Sequence, residues 1–223
     1  MSEVTNWIYV RNRRPAVANE SFEKKSAILF TGPTIMVWLP AHGGSLSARI
    51  GKEGFLITPD RKDRASLQLE DLIVVRGGAV PEGSHPSRTV QVHAEIYAAH
   101  HEVYAVVNAI PVSATAFSIS DSVLDTRTIP ESFLFLKDVP KFAYAAVLQS
   151  PKEIAAGIGP DSPVALLEHN GALVAGKTVL DAFDRLEVLE ATAEANVQSK
   201  PLGAITPMSD AVIDERLKAF WRV

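Results

Sequence analysis

Short apolar runs bounded by glycine or polar residues follow one another through the first third of the chain. They read SLSARI (45–50), FLITP (55–59) and DLIVV (71–75). Glycines suited to turns lie between and before them: Gly43, Gly44, Gly51 and Gly54. Runs of four to six residues bounded by turn residues are typical of β-strands, so this region predicts the opening of a sheet.

The next stretch, residues 87–101, changes to the periodicity of a helix. Val92 and Ile96 share one face at a spacing of four, with Ser87 or Thr89 available as N-cap. A second face carries polar side chains at the same spacing: Thr89, His93 and Tyr97. We expect a helix here.

An apolar run over 103–109 predicts a buried strand that leads directly into another helix. Pro111 suits the first turn of that helix, which we expect to continue to Ile119. The strand therefore ends at Asn108 and Ile110, a place where side chains from a sheet edge can meet a ligand.

The second half begins with an irregular middle that contains Pro130, Pro140 and Pro151. Residues 163–176 then predict a hairpin that turns at Asn170 and Gly171.

Two helices are expected after the hairpin. Thr178 and Asp181 form a capping signature ahead of a long amphipathic helix. A last helix is predicted to start at Thr206, with Pro207 at its first position. Its inward side chains would be Ile213, Leu217 and Phe220.

This order of elements indicates a mixed α/β layer fold and not a regular alternation of strand and helix. The dinucleotide-binding glycine motif G-x-G-x-x-G is absent from the sequence. We expect an N-terminal arm over residues 1–20 and a single domain over 21–223, in which residues 21–40 are compatible with helical or extended structure.

Composition narrows the possible partners. The chain of 223 residues has no apolar run long enough for a membrane span, and its formal net charge of −4 argues against nucleic acid. It contains no cysteine and no signal-peptide pattern at its N-terminus, so a cytoplasmic location is expected.

Four motifs, taken in order, resemble the class II aldolase/adducin family. They are GGSLSARI (43–50), the Thr-Pro loop and following strand within 55–75, the histidine-bearing stretch 85–111, and the segment from Leu167 to Glu190. The resemblance implies a three-layer α-β-α fold whose central, mainly antiparallel sheet is flanked by helices. It also implies a homotetramer with active sites at subunit boundaries.

Zinc-dependent members of that family hold the metal with three histidines, which correspond here to Asn108, Ile110 and Asn170. The catalytic Glu of the family corresponds to Thr89, and hydroxyls are not general bases near neutral pH. The resemblance thus predicts a zinc site whose ligands and base have been replaced, with no metal and no cofactor.

The phosphate site implied by the resemblance is altered as well. Ser45 takes the place of an asparagine, Asp60 and Arg61 replace the end of a Thr-Pro-x-Gly loop, and Arg88 replaces a serine. Ser47 and Ser87 remain. Since arginine binds carboxylates and phosphates, the pocket is expected to prefer anions.

Six histidines invite a replacement metal site, but their positions give it little support. His93 lies one turn after Thr89 and is expected to be a hydrogen-bonded pocket residue that acts as the acid/base. His100 and His101 are expected to be solvated, and His169 to point away from the site. His42 and His85 are candidate ligand contacts near the altered phosphate site.

Three functions remain open. The first is a metal-free family member that binds a small anionic or carbonyl compound, or a partner protein, without aldolase chemistry. The second is a metal-independent lyase or isomerase, of dehydratase, decarboxylase or epimerase type, acting on a hydroxy-carbonyl acid in carbohydrate or aromatic catabolism. The third is a structural role like that of the adducin head.

Overall fold

A seven-stranded mixed sheet lies at the centre of the computed structural model, which describes Leu39, residues 43–51 and residues 54–220. The spatial order is β3-β2-β1-β4-β7-β6-β5, and every neighbouring pair is antiparallel except the parallel pair β5–β6. The strands are β1 (Ser45–Ile50), β2 (Gly54–Ile57), β3 (Ile73–Arg76), β4 (Ala105–Ala109), β5 (Lys141–Phe142), β6 (Val164–Leu167) and β7 (Gly171–Gly176).

Helices cover both faces of the sheet, so the predicted three-layer α-β-α fold is confirmed. The α-helices of the described residues are α1 (Val90–Ala99), α2 (Val112–Ser118), α3 (Pro130–Leu136), α4 (Ala146–Gln149), α5 (Pro151–Gly157), α6 (Val179–Ser199) and α7 (Asp210–Phe220). One apolar core joins the sheet to α2, α3 and α6, and a second joins the opposite face to α1, α4 and α5.

Strand β1 shows why the two faces differ. Its even positions Leu46 and Ala48 belong to the core beneath α2 and α6. Its odd positions Ser45 and Ser47 lie on the opposite face, where they contact α1. Successive side chains of a strand alternate between faces, so a single strand supplies apolar packing on one side and hydroxyls on the other.

The predicted hairpin and long helix are confirmed. Strands β6 and β7 pair antiparallel around residues 168–170. Thr178 is the N-cap of α6, where its Oγ1 accepts from the backbone N–H of Asp181 at 3.0 Å. The hydroxyl satisfies one of the donors that every helix start leaves free.

Two parts of the sequence prediction are wrong. The middle of the chain is not irregular: Pro130 and Pro151 are the first residues of α3 and α5, because proline is well suited to a helix start. The last helix starts at Asp210 and not at Thr206, since the backbone N–H of Met208 donates to the carbonyl of Arg127. Ile213 is buried as expected.

Some predicted segments lie outside the described residues, namely the arm over 1–20 and the stretch 21–40 apart from Leu39. None of the helices within residues 54–220 combines the length and the hydropathy that crossing a membrane requires.

Candidate functional site

Polar side chains of α1 and β1 meet in the layer between the helix and the sheet. The Nε2 atom of His93 lies 2.9 Å from Ser45 Oγ and 3.3 Å from Thr89 Oγ1. On the other side of the ring, Nδ1 lies 2.6 Å from Ser47 Oγ. The polar helical face predicted from the sequence is therefore buried against the odd positions of β1.

The contacts continue at both ends of this cluster. Thr89 Oγ1 lies 2.6 Å from Ser45 Oγ and 3.2 Å from Ser87 Oγ. Ser47 Oγ lies 2.8 Å from the Tyr97 hydroxyl. We call this set the buried hydroxyl chain; its members are Ser87, Thr89, Ser45, His93, Ser47 and Tyr97.

Burial sets the charge of the imidazole in this chain. His93 is 0% exposed, and desolvation lowers its pKa to about 3. The ring is neutral at pH 7, because a charged imidazolium has lost its water and gained no carboxylate. Both ring nitrogens face hydroxyls, so its acid/base role stays a prediction while its hydrogen-bonding role is visible.

Thr89 occupies the N-cap of α1 but makes no side-chain cap. Its hydroxyl instead lies within hydrogen-bonding distance of the Ser45 and Ser87 hydroxyls. The helical pattern of the sequence does not predict these tertiary contacts.

The strand end singled out by the sequence lies beside this chain. Asn108 pairs in register with Ser45, and its Nδ2 donates to the carbonyls of Ala172 at 3.0 Å and Asn170 at 3.4 Å. The amide thus ties β4 to the turn that leads into β7. Backbones approach closely here, since a Cβ at Gly44 would lie 2.6 Å from the Asn108 carbonyl oxygen.

The side chains at these positions differ from the usual zinc ligands. Ile110 has no donor atom, and the Asn108 amide nitrogen donates to two carbonyls, so only the amide oxygen Oδ1 is left as a possible ligand. Amides are poor ligands compared with imidazole or thiolate. Over residues 43–51 and 54–220, no three His, Cys, Asp or Glu side chains gather in an arrangement that could hold a metal ion.

Backbone hydrogen bonds hold the altered Thr-Pro loop against the Ser87 end of the buried hydroxyl chain. The Asp60 N–H donates to the His85 carbonyl at 2.8 Å, and the Ser87 N–H donates to the Thr58 carbonyl at 3.1 Å. Arg61 adopts a left-handed φ of 54°, its side chain is 90% exposed, and its Nε lies 3.5 Å from Asp60. Asp60 therefore offsets the charge of Arg61, whereas Arg88 stands exposed beside Ser87.

Arg64 is a site residue that the sequence reasoning missed. It is 4% exposed and donates to the carbonyls of Gly44 (3.0 Å), Pro59 (2.8 Å) and Lys62 (3.1 Å). Burial lowers its pKa, while the nearby charges of Asp60 and Asp63 oppose that shift. Its guanidinium joins the two loops that flank Ser45 and Thr58, and no spacing in the sequence points to it.

Arg49 and Tyr97 were also missed, although a signal existed. Arg49 continues the period-two polar stripe of β1, and Tyr97 follows His93 at the helical spacing of four. The Arg49 guanidinium lies 4.8 Å from the centre of the Tyr97 ring and donates to the Tyr97 and His100 carbonyls at 2.7 and 3.0 Å. These contacts place the Arg49 guanidinium beside Tyr97, the last member of the buried hydroxyl chain.

The other histidines lie away from this cluster. The prediction that His100 is solvated is wrong: it is half-buried, and its Nε2 lies 2.8 Å from the Ala155 carbonyl. His85, His101 and His169 are exposed. His42 lies outside the described residues.

The Class II Aldolase and Adducin N-terminal domain model matches residues 36–197, a span that includes every strand and the whole buried hydroxyl chain. The chain belongs to this family. The predicted family membership is confirmed.

Individual relatives support the same family membership. An L-fuculose phosphate aldolase from Methanococcus vannielii is 32% identical over 71% of this chain and 86% of its own length. A methylthioribulose-1-phosphate dehydratase from Acidiphilium cryptum is 30% identical over 69% of this chain and 79% of its own length. Among solved structures, the L-fuculose-1-phosphate aldolase from Thermus thermophilus superposes with a TM-score of 0.69, with 28% identity over 80% of this chain and 95% of that one.

Proposed function

We propose that this family member binds a small anionic or carbonyl compound of sugar-acid, keto-acid or sugar-phosphate type without zinc-dependent aldol chemistry. The observation that carries the proposal is the role of Asn108. At the position where the family resemblance implies a zinc ligand, its amide braces the turn at Asn170 through two carbonyls.

The reaction of the zinc enzymes needs an electrophile and a base. Zinc would stabilise the charge that develops on the substrate oxygen, but neither Asn108 nor Ile110 supplies a ligand of the usual kind. At the position of the family base, the Thr89 hydroxyl lies within hydrogen-bonding distance of Ser45 and Ser87 and does not titrate near neutral pH. The substitutions at Asn108, Ile110 and Thr89 therefore affect both the electrophile and the base of the zinc-dependent reaction.

The same positions retain features that support ligand binding. Most of them carry a hydroxyl or an amide, and Arg88, next to Ser87 in the sequence, is exposed. A guanidinium binds carboxylate or phosphate through charge-assisted hydrogen bonds. Arg88 is better placed for this than Arg61, which already lies beside Asp60.

Thermal unfolding with and without ligand tests the proposal. Glycerate, pyruvate and inorganic phosphate are titrated separately, and at 100 times the dissociation constant a bound ligand stabilises the protein by about 2.7 kcal/mol. We expect Arg88→Ala to weaken binding of the active compound about tenfold or more, since charged hydrogen bonds contribute about 1.5–3 kcal/mol. The matched control is Arg216→Ala, which removes an exposed arginine of α7.

An unchanged ligand-induced shift in Arg88→Ala would contradict the anion pocket. Zinc content, measured by elemental analysis after incubation with zinc and desalting, tests the other half of the proposal. We expect no retained zinc; one zinc per chain would return a metal-dependent lyase or epimerase to first place.

A further inference from the structure

The buried hydroxyl chain ends on a backbone carbonyl, and this fixes the direction of its hydrogen bonds. The Tyr97 hydroxyl donates to the Tyr104 carbonyl at 3.3 Å. We propose that every hydrogen bond of the buried hydroxyl chain is donated toward that carbonyl and that His93 carries its proton on Nδ1. We also propose that the Ser87 oxygen accepts a hydrogen bond from a ligand hydroxyl. The ligand part rests on the proposed function; the direction of the chain does not.

The inner half follows from counting protons. A carbonyl oxygen only accepts, so the single proton of the Tyr97 hydroxyl is used in the bond to Tyr104. Ser47, 2.8 Å away, must then donate to Tyr97. Having used its own proton, Ser47 accepts at its 2.6 Å contact with His93, which places the ring proton on Nδ1.

The outer half follows from the neutrality of the ring. A neutral imidazole carries one N–H, so Nε2 of His93 is an acceptor. Either Ser45 donates to Nε2 and Thr89 donates to Ser45, or Thr89 donates to Nε2 directly. In both arrangements the proton of Thr89 is used, so Thr89 accepts from Ser87 at 3.2 Å.

The opposite direction forms fewer hydrogen bonds. If Tyr97 donated to Ser47, its 3.3 Å bond to the Tyr104 carbonyl would be lost, while the bonds within the chain would only be reversed. In a layer where these side chains are buried, each hydrogen bond lost is costly because water does not compensate.

The direction determines what the outer end offers to a ligand. The proton of Ser87 points to Thr89, which leaves lone pairs of its oxygen for a compound held beside Arg88. A ligand hydroxyl can donate to those lone pairs, whereas a carbonyl, carboxylate or phosphate oxygen would face them without a proton. Ser87 would therefore bind a ligand hydroxyl, and the anionic group would be bound elsewhere.

Nitrogen NMR of the histidine rings tests the direction without any ligand. With ring nitrogens labelled, long-range correlations to the ring protons show which nitrogen carries the proton, and a His93→Gln variant identifies the signal. We expect an unprotonated Nε2 and a protonated Nδ1 at pH 7. A protonated Nε2 would overturn the proposed direction.

Removal of the inner donor gives a second, independent measurement. Tyr97→Phe deletes the group that orients the chain, so we expect the His93 signal to move toward the other tautomer or a mixture. Tyr144→Phe, at an exposed tyrosine, should leave the signal in place. An unaltered Nδ1–H tautomer in Tyr97→Phe would show that the Tyr104 carbonyl does not set the direction.

The ligand part is tested with lactate and pyruvate, which share a carbon skeleton and differ in a hydroxyl and an oxo group. We expect lactate to bind the native chain about tenfold more tightly, and Ser87→Ala to abolish that difference while Ser66→Ala preserves it. Equal binding of both acids would overturn the hydroxyl recognition and leave the proposed anion pocket intact. If none of the acids or phosphate binds, the proposed function fails, and the tautomer measurement still decides the direction.

Discussion

At the scale of single residues, His93 shows how burial alone sets a protonation state. The ring is fully buried with hydroxyls at both nitrogens, and desolvation lowers its pKa to about 3. Burial also raises the pKa of Tyr97 above its ordinary value. Both groups are therefore neutral over the whole physiological range and act through hydrogen bonds.

The low pKa of His93 predicts that the protein loses stability in acid. An unfolded histidine takes up a proton below about pH 6.5, while the folded one does so only near pH 3. Its contribution is therefore complete above pH 6.5 and falls by up to about 1.4 kcal/mol for each pH unit between these values. Urea unfolding from pH 7.5 to 4 measures this slope.

Carboxylates add their own acid dependence, so the comparison between variants is decisive. We expect His93→Gln to show a shallower slope than the native chain, and exposed His101→Gln to keep the native slope. Identical slopes for all three proteins would contradict the buried neutral state of His93.

At the scale of elements, α6 supplies a side chain that caps the start of α2, a helix distant in sequence. Helix α2 begins after Pro111, which has no capping side chain. The Glu190 carboxylate from α6 accepts from the Ser113 N–H at 2.8 Å and the Ala114 N–H at 2.9 Å. A negative charge at a helix start is favourable, so a tertiary contact replaces the missing local cap.

Loss of this cap should be measurable as stability. We expect Glu190→Ala to reduce the free energy of unfolding by about 1–3 kcal/mol, because the free N–H groups of α2 lose a charged acceptor. Glu187→Ala removes an exposed carboxylate from the same helix and should change stability by less than about 0.5 kcal/mol. Chemical denaturation compares them directly; equal effects would show that the cap contributes nothing.

At the scale of the whole molecule, apolar side chains remain exposed in the two segments that follow α2 and α6. Val123 is 86% and Leu202 is 88% exposed, and the two segments are joined because Lys200 Nζ lies 3.4 Å from Ser122 Oγ. Burial of such side chains would contribute about 25 cal/mol for each Å² removed from water.

We expect the chain to form a homotetramer that uses this surface, and light scattering would then give the mass of four chains. Leu202→Asp should shift the population to smaller species, because a charge cannot be buried there without a partner. Lys152→Asp, at an exposed lysine of α5, is the control and should leave the assembly intact. A monomeric native protein would contradict the tetramer.

Much of the fold was predictable because its local signals agree. The strands of the first third, the hairpin at Asn170 and the capped helix after Thr178 each combine a hydrophobic period with turn or cap residues. The middle of the chain was misjudged because its helices are short and start with proline. The start of α7 was misplaced because the Met208 N–H donates to the Arg127 carbonyl, a tertiary contact made by the residues before the helix.

The sequence by itself determined most of the elements, the family and the polar positions, since these depend on spacing along the chain. Only the tertiary structure decided what those positions do. It placed Ser45 and Ser47 against His93, used Asn108 to brace the Asn170 turn, and buried Arg64 between two loops. The physical reason is that hydrogen-bond partners and desolvation depend on segments distant in sequence, which a periodic pattern does not encode.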